Sequence, residues 1–248
     1  MTSIKTISCV CVVWLSVGQG LCRGDTFAVV VGGISKDAAD RVLQDKTLAD
    51  LHNYLLARTK NMHVASTASE VKDALDGFAA AMGPQDRFIF WYVGQANAVG
   101  GKLRLNLRGP DITHEDLAAP LSRIKAGMVL IVLDCPNAAL AVKALSGPGR
   151  VILCASTQDQ PYGTQFTRYF VPALAAAKSD TDKDGKISIL EAFTAAARQI
   201  EQWYQDKHIL PTETPCLDDD GDGKASERPW RRTDSTDGII ASRLFLNL

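Results

Sequence analysis

Two stretches of this 248-residue chain carry residue types at spacings that suit chemistry. The first is "DTDKDGKISILE" (180–191), with Asp180, Asp182 and Asp184 at alternate positions, Gly185 next, then Lys186, Ser188 and Glu191. Carboxylates spaced by two converge on one point only if the chain turns sharply, and a glycine at the sixth position permits the turn. Lys186 then offers its backbone carbonyl, Ser188 the ninth position, and Glu191 a bidentate carboxylate, an oxygen set that suits the hard Ca²⁺ ion. The second stretch is "GMVLIVLDCPNAAL" (127–140), an apolar run that ends in Asp134, Cys135 and Pro136. A thiol at the C-terminal lip of a parallel strand is placed as nucleophiles often are.

A second acidic run, "DDDGDGKASERP" (218–229), repeats the opening spacing with Asp218, Asp220, Asp222 and Gly223. Its twelfth position is Pro229, where a helix cannot start comfortably, so it reads as an atypical calcium loop or as a solvated turn. The first run has the flanks of an EF-hand-type loop, with Leu190, Phe193, Ala197, Ile200 and Tyr204 striping the segment that follows. The expected ion is Ca²⁺, held structurally at a single good loop.

The elements that must position these residues follow from periodicity. Unbroken apolar runs at 26–33, 86–94, 127–134 and 149–156 predict strands covered on both faces, as in a parallel sheet, with a lesser strand at 61–67. Helical patterns fall at 39–58, 70–82, 114–125, 137–146, 167–179 and 189–206. In the first of these Ala39, Val42, Leu43, Leu48, Leu51, Tyr54 and Leu55 form the apolar face. Alternating strands and helices imply an α/β three-layer sandwich with a mostly parallel sheet. Residues 100–111 alternate and predict a small exposed hairpin, and Thr113 or Asp111 caps the helix after it. In such sheets ligands meet the loops beyond the strands' C-terminal ends, here 32–37, 94–101, 135–139 and 156–163. Phe88, Phe90, Trp91 and Tyr92 read as core, and Asp134 as a ligand contact or as the cap of the next helix.

Composition limits the function classes. A formal net charge of −1 with 22% charged residues gives no basis for a nucleic-acid partner. Residues 1–24, with Lys5, an apolar run from Ile7 to Val17 and small residues after it, have the layout of a signal peptide. The expectation is export to a periplasm or the outside, with no membrane span in the mature chain. Three of six cysteines (Cys9, Cys11, Cys22) lie in that leader. Cys135, Cys154 and Cys216 remain, an odd number without zinc spacing. The domain organisation reads as 1–24 leader, 25–206 globular domain, and 207–248 an Asp/Gly-rich tail whose last residues, 237–248, alternate as if to dock.

In order along the chain, "FWYVGQA", "GPDIT", "VLIVLD", "GPGRVILCAST", "DTDKDGKISILEAF" and "TETPCLDDDGDG" occur between residues 90 and 223. This succession resembles bacterial caspase/legumain-like cysteine peptidase domains, in particular a secreted group with an Asp-rich loop. The resemblance implies a caspase-like sheet and, in active members, a His–Cys dyad. It places Gln95 at the histidine's position and Pro136 at the cysteine's, with Cys135 one residue early. Alternation along a strand aims Cys135 at the opposite face. A glutamine amide cannot take or return a proton, and Pro136 lacks the N–H that an oxyanion hole would use. None of His52, His63, His114 and His208 falls on a strand-end loop. The expectation is a pseudopeptidase that binds calcium and a peptide or protein partner. The alternative is a cysteine endopeptidase using Cys135 with an unconventional base.

Overall fold

In a computed structural model the described residues are 24–231 and 236–246, so the leader reading at 1–24 lies, but for its last residue, outside them. The apolar runs become β1 (Thr26–Gly32), β3 (Arg87–Val93), β7 (Met128–Asp134) and β8 (Arg150–Cys154). With β2 (Asn61–Ala65) and β9 (Cys216–Asp218) they form one six-stranded sheet in the order β2-β1-β3-β7-β8-β9. Every pairing is parallel except β8 with β9, which is antiparallel. The sixth strand therefore comes from within the stretch that composition sets apart after residue 206.

Helices cover both faces, as the unbroken Val/Ile runs require. On one side lie α2 (Ala68–Ala81), α3 (His114–Ser122) and the short α4 (Val142–Leu145), packed over Val29, Phe88, Phe90, Ile131 and Ile152. On the other lie α1 (Ala38–Leu56), α5 (Phe166–Ala173) and α6 (Ile189–Lys207), packed over Val30, Trp91, Leu130, Val132 and Leu153. This is the expected three-layer α/β sandwich. Phe88, Phe90, Trp91 and Tyr92 are all fully buried in it. Among the described residues no helix is long and apolar enough to cross a membrane.

Several local readings are corrected. In α1, Val42 is 72% exposed and Leu43 also faces outward, while Gln44 and Thr47 are buried with Leu51, Tyr54 and Leu55. The helix is turned so that its polar stripe reaches the strand ends. The hairpin is not a free one over 100–111. Gly100 and Gly101, with φ of 59° and 76°, form the turn between β4 (Ala96–Val99) and β5 (Lys102–Leu105). β6 (Ile112–Thr113) pairs with β5, and Leu103, Leu105 and Leu107 enter the core. Thr113, not Asp111, caps α3, its hydroxyl accepting from the Asp116 N–H at 3.1 Å. The helix expected over 167–179 stops at Ala173, one residue after Pro172.

Residues 236–246 fold back over the start of α6. The Ile189 N–H donates to the Leu244 carbonyl at 2.8 Å, and Ser188 and Phe245 form an antiparallel bridge. Ala241, Leu244 and Leu246 are buried there, so the expected docking holds for the described part of that segment.

Candidate functional site

The C-terminal ends of β1, β3 and β7 finish in one row, with Gly32 level with Val93 and Val93 level with Asp134. Just beyond the row the chains crowd together. A side chain at Gly94 would sit 2.7 Å from the Gly33 Cα, and one at Gly33 would strike the Tyr92 hydroxyl. That hydroxyl lies 2.6 Å from the Gln95 carbonyl and 3.0 Å from the Asn106 carbonyl. The Gln95 N–H donates to the Ile34 carbonyl at 2.9 Å, and the Asn106 N–H to the Gln95 carbonyl at 3.0 Å. From α1, the Gln44 amide donates to the carbonyls of Gly33 and Val93 at 2.9 and 3.0 Å. Gln95 thus stands on a backbone fixed from both sides, with its side chain free to project.

At the end of β7 three consecutive residues go three ways. Asp134 is buried, its carboxylate accepting from the Thr164 hydroxyl at 2.6 Å and the Thr167 N–H at 2.7 Å. It therefore caps α5 rather than the next helix in sequence, and burial raises its carboxyl above the ordinary carboxylate range. Cys135 points through to the other face, into the core with Tyr92, Leu133 and Ala138, and is 0% exposed. Burial, with the charge of Asp134 adding, pushes its thiol well up, which opposes the thiolate that a nucleophile requires. Pro136 is buried as well. The turn after it is tied to the next strand's loop. The Cys135 carbonyl accepts from the Ser156 hydroxyl at 2.8 Å, and the Asn137 side chain donates to the Gln158 carbonyl at 2.9 Å.

On the side of Asp134, a surface cleft opens between α1 and α5. Gln95, Gln44, Gln165, Arg168 and Asp40 line it with the buried edge of Asp134. It offers the Gln95 and Gln165 amides, the Arg168 guanidinium and the half-buried Asp40 carboxylate, groups that hydrogen-bond a peptide backbone or polar side chains. No histidine lines it. His114 is buried elsewhere, its Nδ1 accepting from the Leu103 N–H at 2.9 Å, and burial lowers its pKa. His63 lies on β2, level with Val29, and His208 caps the end of α6.

Behind the cleft is a residue to which sequence reasoning assigned no role. Glu213 is 2% exposed and accepts from the Gln165 N–H at 3.0 Å. Burial, reinforced by the nearby charge of Asp134, pushes its carboxyl up to about 8. The only signal was its place in the "TETP" segment.

The acidic loops lie apart from the cleft. Asp180, Asp182 and Asp184 each bring a carboxylate oxygen within 4.8 Å of the others. One Asp180 oxygen accepts from the Gly185 N–H at 3.0 Å, and the other is buried without a hydrogen-bond partner. Glu191 is outside the trio. It accepts from the Thr181 N–H at 2.7 Å and the Ser188 N–H and hydroxyl at 2.9 Å each. With Ser188 it forms the capping box of α6, which fixes the helix to the loop. Lys186 and Ser188 hold the seventh and ninth positions, Lys186 exposed and Ser188 buried. Asp218, Asp220 and Asp222 converge within the same 4.8 Å limit.

No family model matches the sequence, and no curated protein does. Among solved structures, the crystal structure of caspase-1 from Spodoptera frugiperda is similar to this one, with a TM-score of 0.54 at 10% identity. The match covers 79% of this chain and 87% of that one. At this identity the likeness concerns architecture alone, and it agrees with the strand order and the helices on both faces described above: the chain has a caspase-like fold.

Proposed function

We propose that this chain is a caspase-fold binding protein that does not hydrolyse peptide bonds, and that it holds a peptide or protein segment in the cleft beside Gln95. The observation that carries the reading is the Cys135 thiol, wholly buried on the core face of β7 while the cleft opens on the other. A glutamine at the place of the base leaves no group there to shuttle a proton. Calcium at 180–191 belongs to the same reading as a structural ion that braces the start of α6. The buried, unpartnered Asp180 oxygen and the convergence of three carboxylates fit a hard cation. Export, as read from residues 1–24, supplies calcium at concentrations that fill even a modest loop.

The test is cleavage of a broad peptide library by residues 25–248, with and without Ca²⁺, beside a Cys135→Ala variant. The expected result is no cleavage in any arm. Cleavage that disappears with Cys135→Ala would make the protein a peptidase and the proposal wrong.

A further inference from the structure

The spacing of the second acidic loop suits a calcium site and a solvated turn equally, and one residue separates those readings. Asp218 ends β9 and is 1% exposed, and its Oδ1 has no hydrogen-bond partner. A solvated turn would leave its carboxylates in water. This one is taken out of water and set among the oxygens of Asp220 and Asp222. A buried carboxylate oxygen without a donor, beside two further carboxylates, is costly unless a cation lies among them. Lys224 comes within 3.9 Å of Asp222, but from an exposed side chain that stays in solvent.

A second buried oxygen stands at the same place. The Ser146 hydroxyl, in the turn between α4 and β8, lies beside the Asp218 carboxylate without closing a full hydrogen bond, and it has no other partner. The loop is packed closely on that turn. A side chain at Gly221 would come 3.5 Å from the Gly147 carbonyl carbon, and one at Gly223 would come 3.4 Å from the Lys143 Cα. Residues 143–147 thus pack against the backbone of the loop at Gly221 and Gly223.

We propose that Asp218, Asp220 and Asp222, with the Lys224 carbonyl, hold a second Ca²⁺, and that the Ser146 hydroxyl supplies an oxygen where Pro229 leaves the loop without its twelfth-position carboxylate. The site stands independently of the one at 180–191. Its place gives it a distinct role, fastening the antiparallel edge strand to the turn that enters β8. With three carboxylates and no bidentate closure, its Kd falls on the order of 10⁻⁴–10⁻³ M.

The experiment is equilibrium dialysis of the full chain against Ca²⁺ alone, comparing wild type with Asp182→Asn/Asp184→Asn, with Asp220→Asn/Asp222→Asn, and with the four substitutions combined. All four positions are exposed, so the variants retain the fold. The expected stoichiometries are two ions, one, one and none. A wild type that binds one ion and loses it with the first pair would overturn this site and leave the first loop's reading intact. Loss of a single ion with the second pair would do the reverse. No binding by wild type would refute both. Ser146→Ala is expected to weaken the second ion's binding several-fold, and an unchanged Kd would remove Ser146 from the site.

Discussion

Residues 180–191 and 218–229 share their aspartate spacing and the same turn, with positive φ at the fourth and sixth positions (Lys183 and Gly185, Gly221 and Gly223). They part at what comes next. The first runs directly into the 19-residue α6, and Glu191 ties loop to helix through Thr181 and Ser188. No α-helix follows the second among the described residues. Ser226 turns back to bridge Leu217, and Asp219 reaches the other way, accepting from the N–H groups of Gly238 at 2.8 Å and Ala241 at 2.7 Å. The same acidic run thus starts a helix in one place and fastens a strand and a returning segment in the other. The motif specifies a turn; its neighbours decide what the turn braces.

The comparison is sharpest at fixed pH, because Glu213, between the two loops, makes the whole fold pH-sensitive. Its folded-state value of about 8 lies above the ordinary 4.5, so the folded protein keeps a proton that the unfolded chain releases. That contribution to stability is complete below pH 4.5 and is lost as pH rises to about 8, roughly 3 kcal/mol between pH 5 and 8. Thermal unfolding across this range should show Tm falling with pH, and Glu213→Gln should flatten the slope. A slope that persists in Glu213→Gln would assign it to another group.

Asp219→Ala tests the second loop's hold on the returning segment. It leaves two buried N–H groups without their acceptor and should cost about 2–3 kcal/mol, read by denaturant unfolding. Residues 237–246 should also become sensitive to limited proteolysis; continued protection would mean that apolar packing alone holds them. Glu191→Ala, in the first loop, removes half of a capping box and the tie to Thr181, and about 1–2 kcal/mol is expected. A smaller loss than in any exposed-loop control would show that α6 starts without help from the loop. The smallest effect is predicted for Glu227→Ala, within about 0.5 kcal/mol, because that side chain of the second loop is exposed. A loss well beyond that, read by denaturant unfolding, would show that the segment after the second loop is held by more than the bridge between Ser226 and Leu217.

Much of the architecture is legible in the sequence because it depends on local pattern. Runs such as "FAVVV" and "VLIVL" bury on both faces whatever their neighbours, so the strands and the helices that cover them can be read directly. The opposite aim of Asp134 and Cys135 follows from strand alternation in the same way. What escapes is set by partners distant in sequence. Gln44 and Thr47 are buried in α1, against the apolar pattern, because the Gln44 amide serves two strand-end carbonyls. Asp134 caps a helix more than thirty residues onward, not the one beside it. Glu213 is a lone acid in an irregular segment, and only the fold reveals that it is buried behind the cleft. At three residues, β9 is too short to show any period.

That short strand also governs how the chain can be made. Its register sets Cys154 opposite Cys216, so the outer edge of β8 waits for 62 further residues before its partner exists. During synthesis an apolar strand therefore emerges with one row of backbone N–H and C=O groups unmatched, a template open to pairing with another chain. Closing it requires a long loop to be drawn in first, an entropic cost that slows the step. The last part of the sheet to form is thus the part on which keeping separate molecules apart most depends.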